Sequence, residues 1–435
     1  MKWTHANAFC LGVLTASPAL GQTLEQAVEN TLKTNPDIKS AYNEYVSKLY
    51  VNNASSGAYL PSVDLDAGIG YEGIDPAEQR DSTDLTRKEA TITLSQLIWD
   101  GSATLNDIER TAADAESVRY QLLADAQDTA LEVTNVYLDA VKAYEILALS
   151  ESNLKVHKKI YQNVKKRVDS GIGSTVDLTQ VEARLAKAHG NLAAAQNNLF
   201  DSHIMFTRIV GQSPQGLIFP RADQNFIPYT VDDAINLAFN SHPVIKISIA
   251  DVDSAKFQYK QSKGTYYPTI SLEAAQTWRD DAGGFEGQSD ETTAMIRMRY
   301  NLFNGGSDVA NAESFAYQLN KAKDLRERAY RNVEEGLRLS WNALALTLQQ
   351  KEFLSDHVDY TSETVIAYEK QYRIGKRTLL DLLNTENELF QARKDYIDAK
   401  YGEQYAKYRV MNATGQLLNA LRVDVPTEWN QKVEY

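Results

Sequence analysis

Residues 167–178 read Arg167-Val168-Asp169-Ser170-Gly171-Ile172-Gly173-Ser174-Thr175-Val176-Asp177-Leu178, and residues 371–382 read Gln371-Tyr372-Arg373-Ile374-Gly375-Lys376-Arg377-Thr378-Leu379-Leu380-Asp381-Leu382. Aligned on Gly171 and Gly375, the two stretches share the glycine, a hydroxyl residue three places on, and an Asp-Leu pair. The separation of 204 holds outward from there: Leu97-Ile98-Trp99-Asp100-Gly101 answers Asn301-Leu302-Phe303-Asn304-Gly305, and Gly211-Gln212 answers Gly415-Gln416. Nearer the N-terminus it becomes 207, pairing Ala27, Pro36, Pro61 and Ala67 with Ala234, Pro243, Pro268 and Ala274. Solenoid periods run to roughly 20–50 residues. A period four times that length is a whole supersecondary assembly, duplicated and fused.

Each copy is dominated by helix. From Ser102 to Val168 there is no proline or glycine, and apolar or small residues recur in steps of three and four: Leu105, Ile108, Ala112, Ala115, Val118, Leu122, Ala126. At 1.5 Å per residue this predicts a helix of ~100 Å. Ser307–Arg373 repeats it, and Asp177–Val210 and Asp381–Leu421 predict two shorter helices. Helices of compact domains usually run 8–20 residues, so a soluble coiled-coil rod is one reading.

Four segments argue against a plain rod. Val63, Leu65, Ala67, Ile69 and Tyr71 alternate with Asp64, Asp66, Gly68, Gly70 and Glu72, and Ala90, Ile92 and Leu94 alternate with Thr91, Thr93 and Ser95. In the second copy Ile270, Leu272 and Ala274 alternate with Ser271 and Glu273, and Ala294, Ile296 and Met298 with Arg297 and Arg299. That is the period of strands, with one apolar and one strongly polar face, as in a transmembrane β-strand whose other face meets water. Aromatic residues such as Tyr59, Trp99, Tyr266, Trp278 and Phe303 gather at the strand ends, where membrane girdles belong. Polar stretches Asp75–Arg87 and Asp280–Thr292 read as outward loops. Four strands cannot close a barrel in lipid, where every edge must be paired, so a membrane reading demands oligomerisation.

Composition narrows the setting. The net charge is −13 with 24% charged residues, which argues against a nucleic-acid partner and fits an acidic pore interior. No apolar run approaches the ~20 residues of a membrane-spanning helix. Lys2 and His5 precede the apolar run Ala8-Phe9-Cys10-Leu11-Gly12-Val13-Leu14, and Ala19-Leu20-Gly21 supplies a small-residue exit, predicting a signal peptide over 1–21 and a mature start at Gln22. Cys10, the single cysteine, would leave with it, removing disulfides, thiol chemistry and lipid acylation. His157, His189, His203, His242 and His357 occur singly, without metal-site spacing, and read as solvated helix residues. No nucleophile elbow, phosphate loop or dinucleotide fingerprint appears, so neither cofactor nor covalent chemistry is expected.

The order of signal peptide, helix, strand pair, very long helix, tight turn and helix, all repeated once, resembles the TolC family of outer-membrane efflux and secretion ducts. The resemblance covers essentially the whole mature chain, and the two turns are its specific motifs. It implies a mainly α fold with transmembrane β: a homotrimer whose twelve strands form a membrane barrel above a periplasmic helical barrel. Pro61 and Pro268, and Trp99-Asp100-Gly101 and Phe303-Asn304-Gly305, would mark the passage between the barrels. The first structural repeat then spans 22–211, with strands at about 62–99, a long helix over 102–168 and a helix over 177–210. A linker covers 212–230. The second repeat spans 231–421, with strands at about 269–303 and helices over 307–373 and 381–421, and a tail covers 422–435.

For function, the resemblance implies the exit duct of a tripartite system, with a periplasmic adaptor (a membrane fusion protein), an inner-membrane transporter of ABC type, and outer-membrane lipid as partners. The favoured cargo is large secreted protein of the RTX or adhesin kind, by type I secretion. Multidrug efflux is the alternative, and a periplasmic coiled-coil scaffold is the alternative of another class. The family's closed aperture maps onto Asp177, Tyr372 and Arg377, beside Val176. Its carboxylate ring maps onto Asp381 and Asn384, the asparagine halving the charge. Adaptor docking maps onto Gly171, Ile172, Gly173, Gly375 and Lys376. The same turns have a structural reading: Gly171 and Gly375 suit a left-handed helix end, and Ser174-x-x-Asp177 and Thr378-x-x-Asp381 have capping-box spacing.

Overall fold

The computed structural model describes residues 21–75 and 82–430. The proposed signal peptide and Cys10 lie outside them, apart from Gly21. The chain forms two compact units, one from residues up to Thr31 with Glu132–Ala222 and Leu346–Tyr405, the other from Leu32–Leu131, Asp223–Ala345 and residues from Ala406 on. No helix among the described residues is long and apolar enough to cross a membrane.

The second unit holds the sheet. Helices α1 (Leu24–Thr34) and α2 (Pro36–Gly57) lead into β1 (Ser62–Ile74) and β2 (Thr83–Trp99), and α3 (Ala103–Asp169) follows. In the second repeat, α5 (Val231–Ser241) and α6 (Pro243–Ser262) lead into β3 (Thr269–Ala282) and β4 (Phe285–Arg299), then α7 (Ser307–Arg373). Pro36 and Pro243 both open a helix, where the missing N–H costs nothing. Their caps differ: Asn35 Oδ1 accepts from the Asp37 N–H at 2.7 Å, whereas His242 Nδ1 accepts from Val244 at 3.3 Å. His242 is thus a helix cap, which corrects its reading as a solvated residue.

The four strands form one antiparallel sheet in the order β1-β2-β3-β4. Asp64 pairs with Thr93, Thr93 with Ala275, and Ala275 with Thr293, so one polar face runs across all four strands. Away from the hairpin ends, where Lys88, Asp280 and Asp290 share it, the opposite face is apolar and bare: Val63 is 65%, Ile69 75% and Ile296 71% exposed. A broad uncovered apolar sheet face is what lipid contact requires.

One expected loop is overturned. Asp280–Thr292 is mostly strand, because Ala282 pairs with Phe285 across Gly283-Gly284, whose φ values of 68° and 78° are those of a tight hairpin turn. The shift from 207 to 204 originates here: Ala67 pairs with Ala90 in the first hairpin, Ala274 with Ala294 in the second, and the second hairpin is three residues shorter. Likewise Thr83–Arg87 belongs to β2. β4 stops at Arg299, so the aromatic residues at 300 and 303 lie beyond the ladder.

In the same unit Ala234, Ile235, Ala238, Ile245, Val333 and Leu337 form a buried cluster, with Phe239 edge-on to Tyr330 at 5.0 Å. The chain closes with α8 (Leu379–Ala413) and the short α9 (Leu417–Ala420). The continuous helix expected to Leu421 is therefore broken. Gly415 takes φ 71°, and the N–H groups of Gly415 and Gln416 bond back to Asn412 and Met411, the Schellman ending of a helix.

In the first unit, α4 (Thr175–Val210) and the linker are tied to α3 by Tyr137. Its hydroxyl lies 2.7 Å from the Gln22 carbonyl, 2.8 Å from that of Ile218, and accepts from the Ile218 N–H at 3.0 Å. Burial pushes this phenol up to about 12. Downstream, Lys400 and Tyr401 both bond the Glu145 carboxylate, and Phe219 of the linker packs edge-on to Tyr401 at 5.2 Å.

Candidate functional site

The turns joining α3 to α4 and α7 to α8 have the same backbone. Gly171 and Gly375 both sit at φ 75°, the left-handed region that disfavours a Cβ. The N–H of Ile172 bonds the Arg167 carbonyl and that of Gly171 the Val168 carbonyl; Lys376 to Gln371 and Gly375 to Tyr372 repeat the pattern. Both are Schellman motifs, as the glycine position implied. Beneath them Val164, Val181, Leu379 and Leu383 are buried together, with Tyr372 packed on their edge.

The caps differ. Thr378 Oγ1 accepts from the Asp381 N–H at 3.2 Å, and Asp381 Oδ2 accepts from the Thr378 N–H at 3.3 Å and hydroxyl at 2.9 Å, closing the capping box. In the first turn Ser174 Oγ accepts from Val176 at 3.2 Å, and the box stays open. Among the described residues the Asp177 carboxylate has no hydrogen bond or ion pair. The expected box at Ser174 is thus corrected to a lone serine cap.

Asp177 and Arg377 are not brought together within the chain. Arg377 stays in its own repeat, its guanidinium 4.4 Å from the Tyr368 ring centroid, its Nε 3.1 Å from Gln371 Oε1 and its Nη1 3.9 Å from Asp381. Tyr372 does cross between repeats, its hydroxyl accepting from Arg167 at 3.4 Å. Asn384 crosses too, its Oδ1 accepting from Arg184 at 2.9 Å, and Lys187 donates to Asn387 at 3.1 Å. Ile172 is 76% exposed at the tip, with Gly171, Gly375 and Lys376 also exposed and Gly173 half-buried.

Sequence reasoning missed Arg167, Arg184, Lys187 and Asn387. Arg184 and Lys187 stand three apart, as do Asn384 and Asn387, so each pair shares a helix face; that spacing was the available signal. His157 was also misread. It is 4% exposed, with Nδ1 unbonded, and burial, followed by the nearby charges of Arg184 and Lys187, holds it below 6.5. A cavity of about 250 Å³ lies between Ile160 and Val164 of α3 and Tyr372, Leu382 and Glu386 of the second repeat. Burial, and then Glu369, push the Glu386 carboxyl up. No cluster of metal-binding type exists among the described residues.

A sheet bare on its apolar face and polar on the other, joined in sequence to long helices with surface-exposed turns, defines the class as a membrane channel with a helical extension. The chain matches the outer membrane efflux protein family over residues 27–212 and 234–416, and it belongs to that family. Outer membrane efflux protein BepC of Brucella suis biovar 1 (strain 1330) is 26% identical over 407 residues, covering 93% of this chain and 88% of the relative. Outer membrane protein TolC of Escherichia coli (strain K12) is 22% identical over 421 residues, covering 92% and 84%. Alkaline protease secretion protein AprF of Pseudomonas aeruginosa is 22% identical over 418 residues, covering 92% and 85%. The crystal structure of the Campylobacter jejuni CmeC outer membrane channel superposes with a TM-score of 0.78 at 15% identity, over 96% of this chain and 94% of that one.

The protein is therefore an outer-membrane channel of a tripartite efflux or secretion system, extending into the periplasm, and not an enzyme. Channels of this family work with a periplasmic adaptor and an inner-membrane transporter. The coiled-coil scaffold reading is set aside.

Proposed function

We propose that this chain forms the homotrimeric exit duct of a type I secretion system, passing large, acidic unfolded proteins delivered by an ABC transporter through an adaptor. The observation that carries this reading is the compensated charge of the constriction residues. Asn384 is neutral and bonded to Arg184, while Asp381 is engaged by its cap and lies 3.9 Å from Arg377. A weakly negative ring repels an acidic polypeptide less than a full carboxylate ring does. Protein secretion is also the role in the name of AprF. Multidrug efflux is the second reading; the name of BepC carries efflux, without stating a cargo.

In the trimer, β1 and β4 would pair between copies to give twelve strands, with the bare apolar face against outer-membrane lipid. Asp177, Tyr372 and Arg377 would hold the periplasmic end closed across copies, and the tips around Gly171, Ile172, Gly173, Gly375 and Lys376 would dock the adaptor. A deletion strain assayed in parallel for secreted proteins and for drug susceptibility tests the cargo. Loss of a secreted protein with unchanged susceptibility supports secretion; the converse supports efflux.

A further inference from the structure

We propose that the seam between neighbouring copies is matched by charge, with Asp64 and Asp66 on the free edge of β1 facing Arg299 and Arg297 on the free edge of β4 of the next copy. The inference rests on the trimer reading above and adds to it the residues that choose which edges meet.

β1 and β4 are the two outer strands of the sheet, so their outward N–H and C=O groups have no partner strand. The registers Asp64 to Thr93, Thr93 to Ala275 and Ala275 to Thr293 place Asp64 and Thr293 on one face, and alternation adds Asp66, Arg297 and Arg299 to it. An antiparallel closure brings the first residues of β1 beside the last of β4. Pairing 64 with 299 puts 66 against 297 and keeps the polar face continuous.

Charge is distributed along these edges in two zones. Toward the hairpin ends two carboxylates of the polar face are neutralised within the chain: Glu72 by Arg87 at 2.8 Å, and Glu291 by Arg279 at 2.8 Å. Toward the other end the β1 carboxylates have no such partner. Asp64 accepts only from the Ser62 hydroxyl at 3.3 Å, Asp66 and Arg299 make no ion pair among the described residues, and Arg297 spends its Nε on Glu273 at 2.6 Å while Nη2 meets only Met295 sulfur at 3.3 Å. One edge therefore offers the unpaired carboxylates of Asp64 and Asp66, and the other the unpaired guanidinium of Arg299 with the Nη groups of Arg297, which Glu273 leaves without an acidic partner, at positions that meet only if β1 joins β4.

The wrong closures are penalised. Two copies joined β1 to β1 would set carboxylate against carboxylate, and β4 to β4 would set arginine against arginine; like charges directly opposite destabilise a strand pair. Only the head-to-tail closure that generates a ring is charge-matched.

The test uses the full-length protein in detergent, following the temperature at which the oligomer dissociates. Asp64→Arg and Arg299→Asp should each lower it by several degrees, and the two combined should restore most of the loss. In a separate variant, Asp64→Cys with Arg299→Cys should give covalent trimers on mild oxidation, since directly paired strand positions meet the Cα spacing of a disulfide. If both reversals leave a wild-type trimer unchanged, or the swap deepens the loss and the cysteines do not cross-link, the seam assignment is wrong while the trimer stands. A monomeric or dimeric wild type would overturn the trimer and the seam together.

Discussion

The first and second turns have one backbone and opposite side-chain habits. In the second, Asp381, Thr378, Arg377 and Gln371 satisfy one another inside the repeat. In the first, Asp177 is left without a partner, and Arg167 reaches out to Tyr372. Under the proposed gate, contacts to a neighbouring copy would originate at the first turn. A saturated turn is a scaffold, and a turn with a spare carboxylate is a surface with something left to bind.

The sharpest way to break this comparison is at the proposed gate. Arg377→Ser combined with Tyr372→Phe should raise single-channel conductance in bilayers severalfold, and Asp177→Asn alone should raise it less. An exposed ion pair contributes only ~0–1 kcal/mol, so three symmetry copies must act together to hold the end shut. Unchanged conductance with the trimer intact would remove these residues from the gate.

The shared backbone gives the next effect. Gly171→Ala and Gly375→Ala should cost the same, about 1–2 kcal/mol each, since both glycines have φ 75° and a Cβ there meets no neighbouring atom. Thermal unfolding of the two variants would separate conformational strain from docking; unequal losses would mean that one turn is held by more than its backbone.

The caps should then part the turns. Asp381→Ala should cost about 1 kcal/mol as a lost capping box, while Asp177→Ala should leave stability unchanged. Asp381→Asn keeps an acceptor, so a changed reversal potential in a salt gradient, at unchanged melting temperature, would report its charge in the pore. Equal melting losses for the two alanine variants would contradict the open first box.

The smallest effect concerns pH. His157 is held neutral, its pKa below the 6.5 of the unfolded chain, so unfolding takes up a proton once the pH falls below about 6.5. Its contribution is fully present above that value and is lost as the pH drops toward the folded value. Glu386, shifted upward, acts in the opposite sense. Melting temperatures at pH 7.5 and 5.5 should therefore fall less for His157→Gln than for the wild type. The second repeat carries Thr361 at the equivalent place and serves as an internal control; an identical pH slope in both proteins would acquit His157.

Much of this architecture was legible because it is written in periods. Alternation over 62–74 and 269–282 marked both leading strands, and Gly171 and Gly375 marked both helix ends. Features fixed by a single local conformation were harder to see. Gly415 ends α8 although the apolar pattern continues to Leu421, since periodicity records burial and is blind to a left-handed residue. The Gly283-Gly284 turn was hidden by the polar residues of Asp280–Thr292, which occupy both faces of β3 and β4 near the hairpin. The cross-repeat ties escaped because each joins residues about 200 positions apart, and burial of His157 by a neighbouring helix leaves no mark in its own helix.

Those ties also bear on descent. Arg184 and Lys187 come from the first half, Asn384 and Asn387 from the second. Shifted by 204, the asparagines fall on Gln180 and Ala183, and the cations on Glu388 and Gln391. A ring assembled from six copies of the first half would keep one acceptor and lose the other; one assembled from the second half would set an acid where the cation belongs. After duplication the halves have divided donor and acceptor between them, and neither now carries the information to rebuild its ancestor alone.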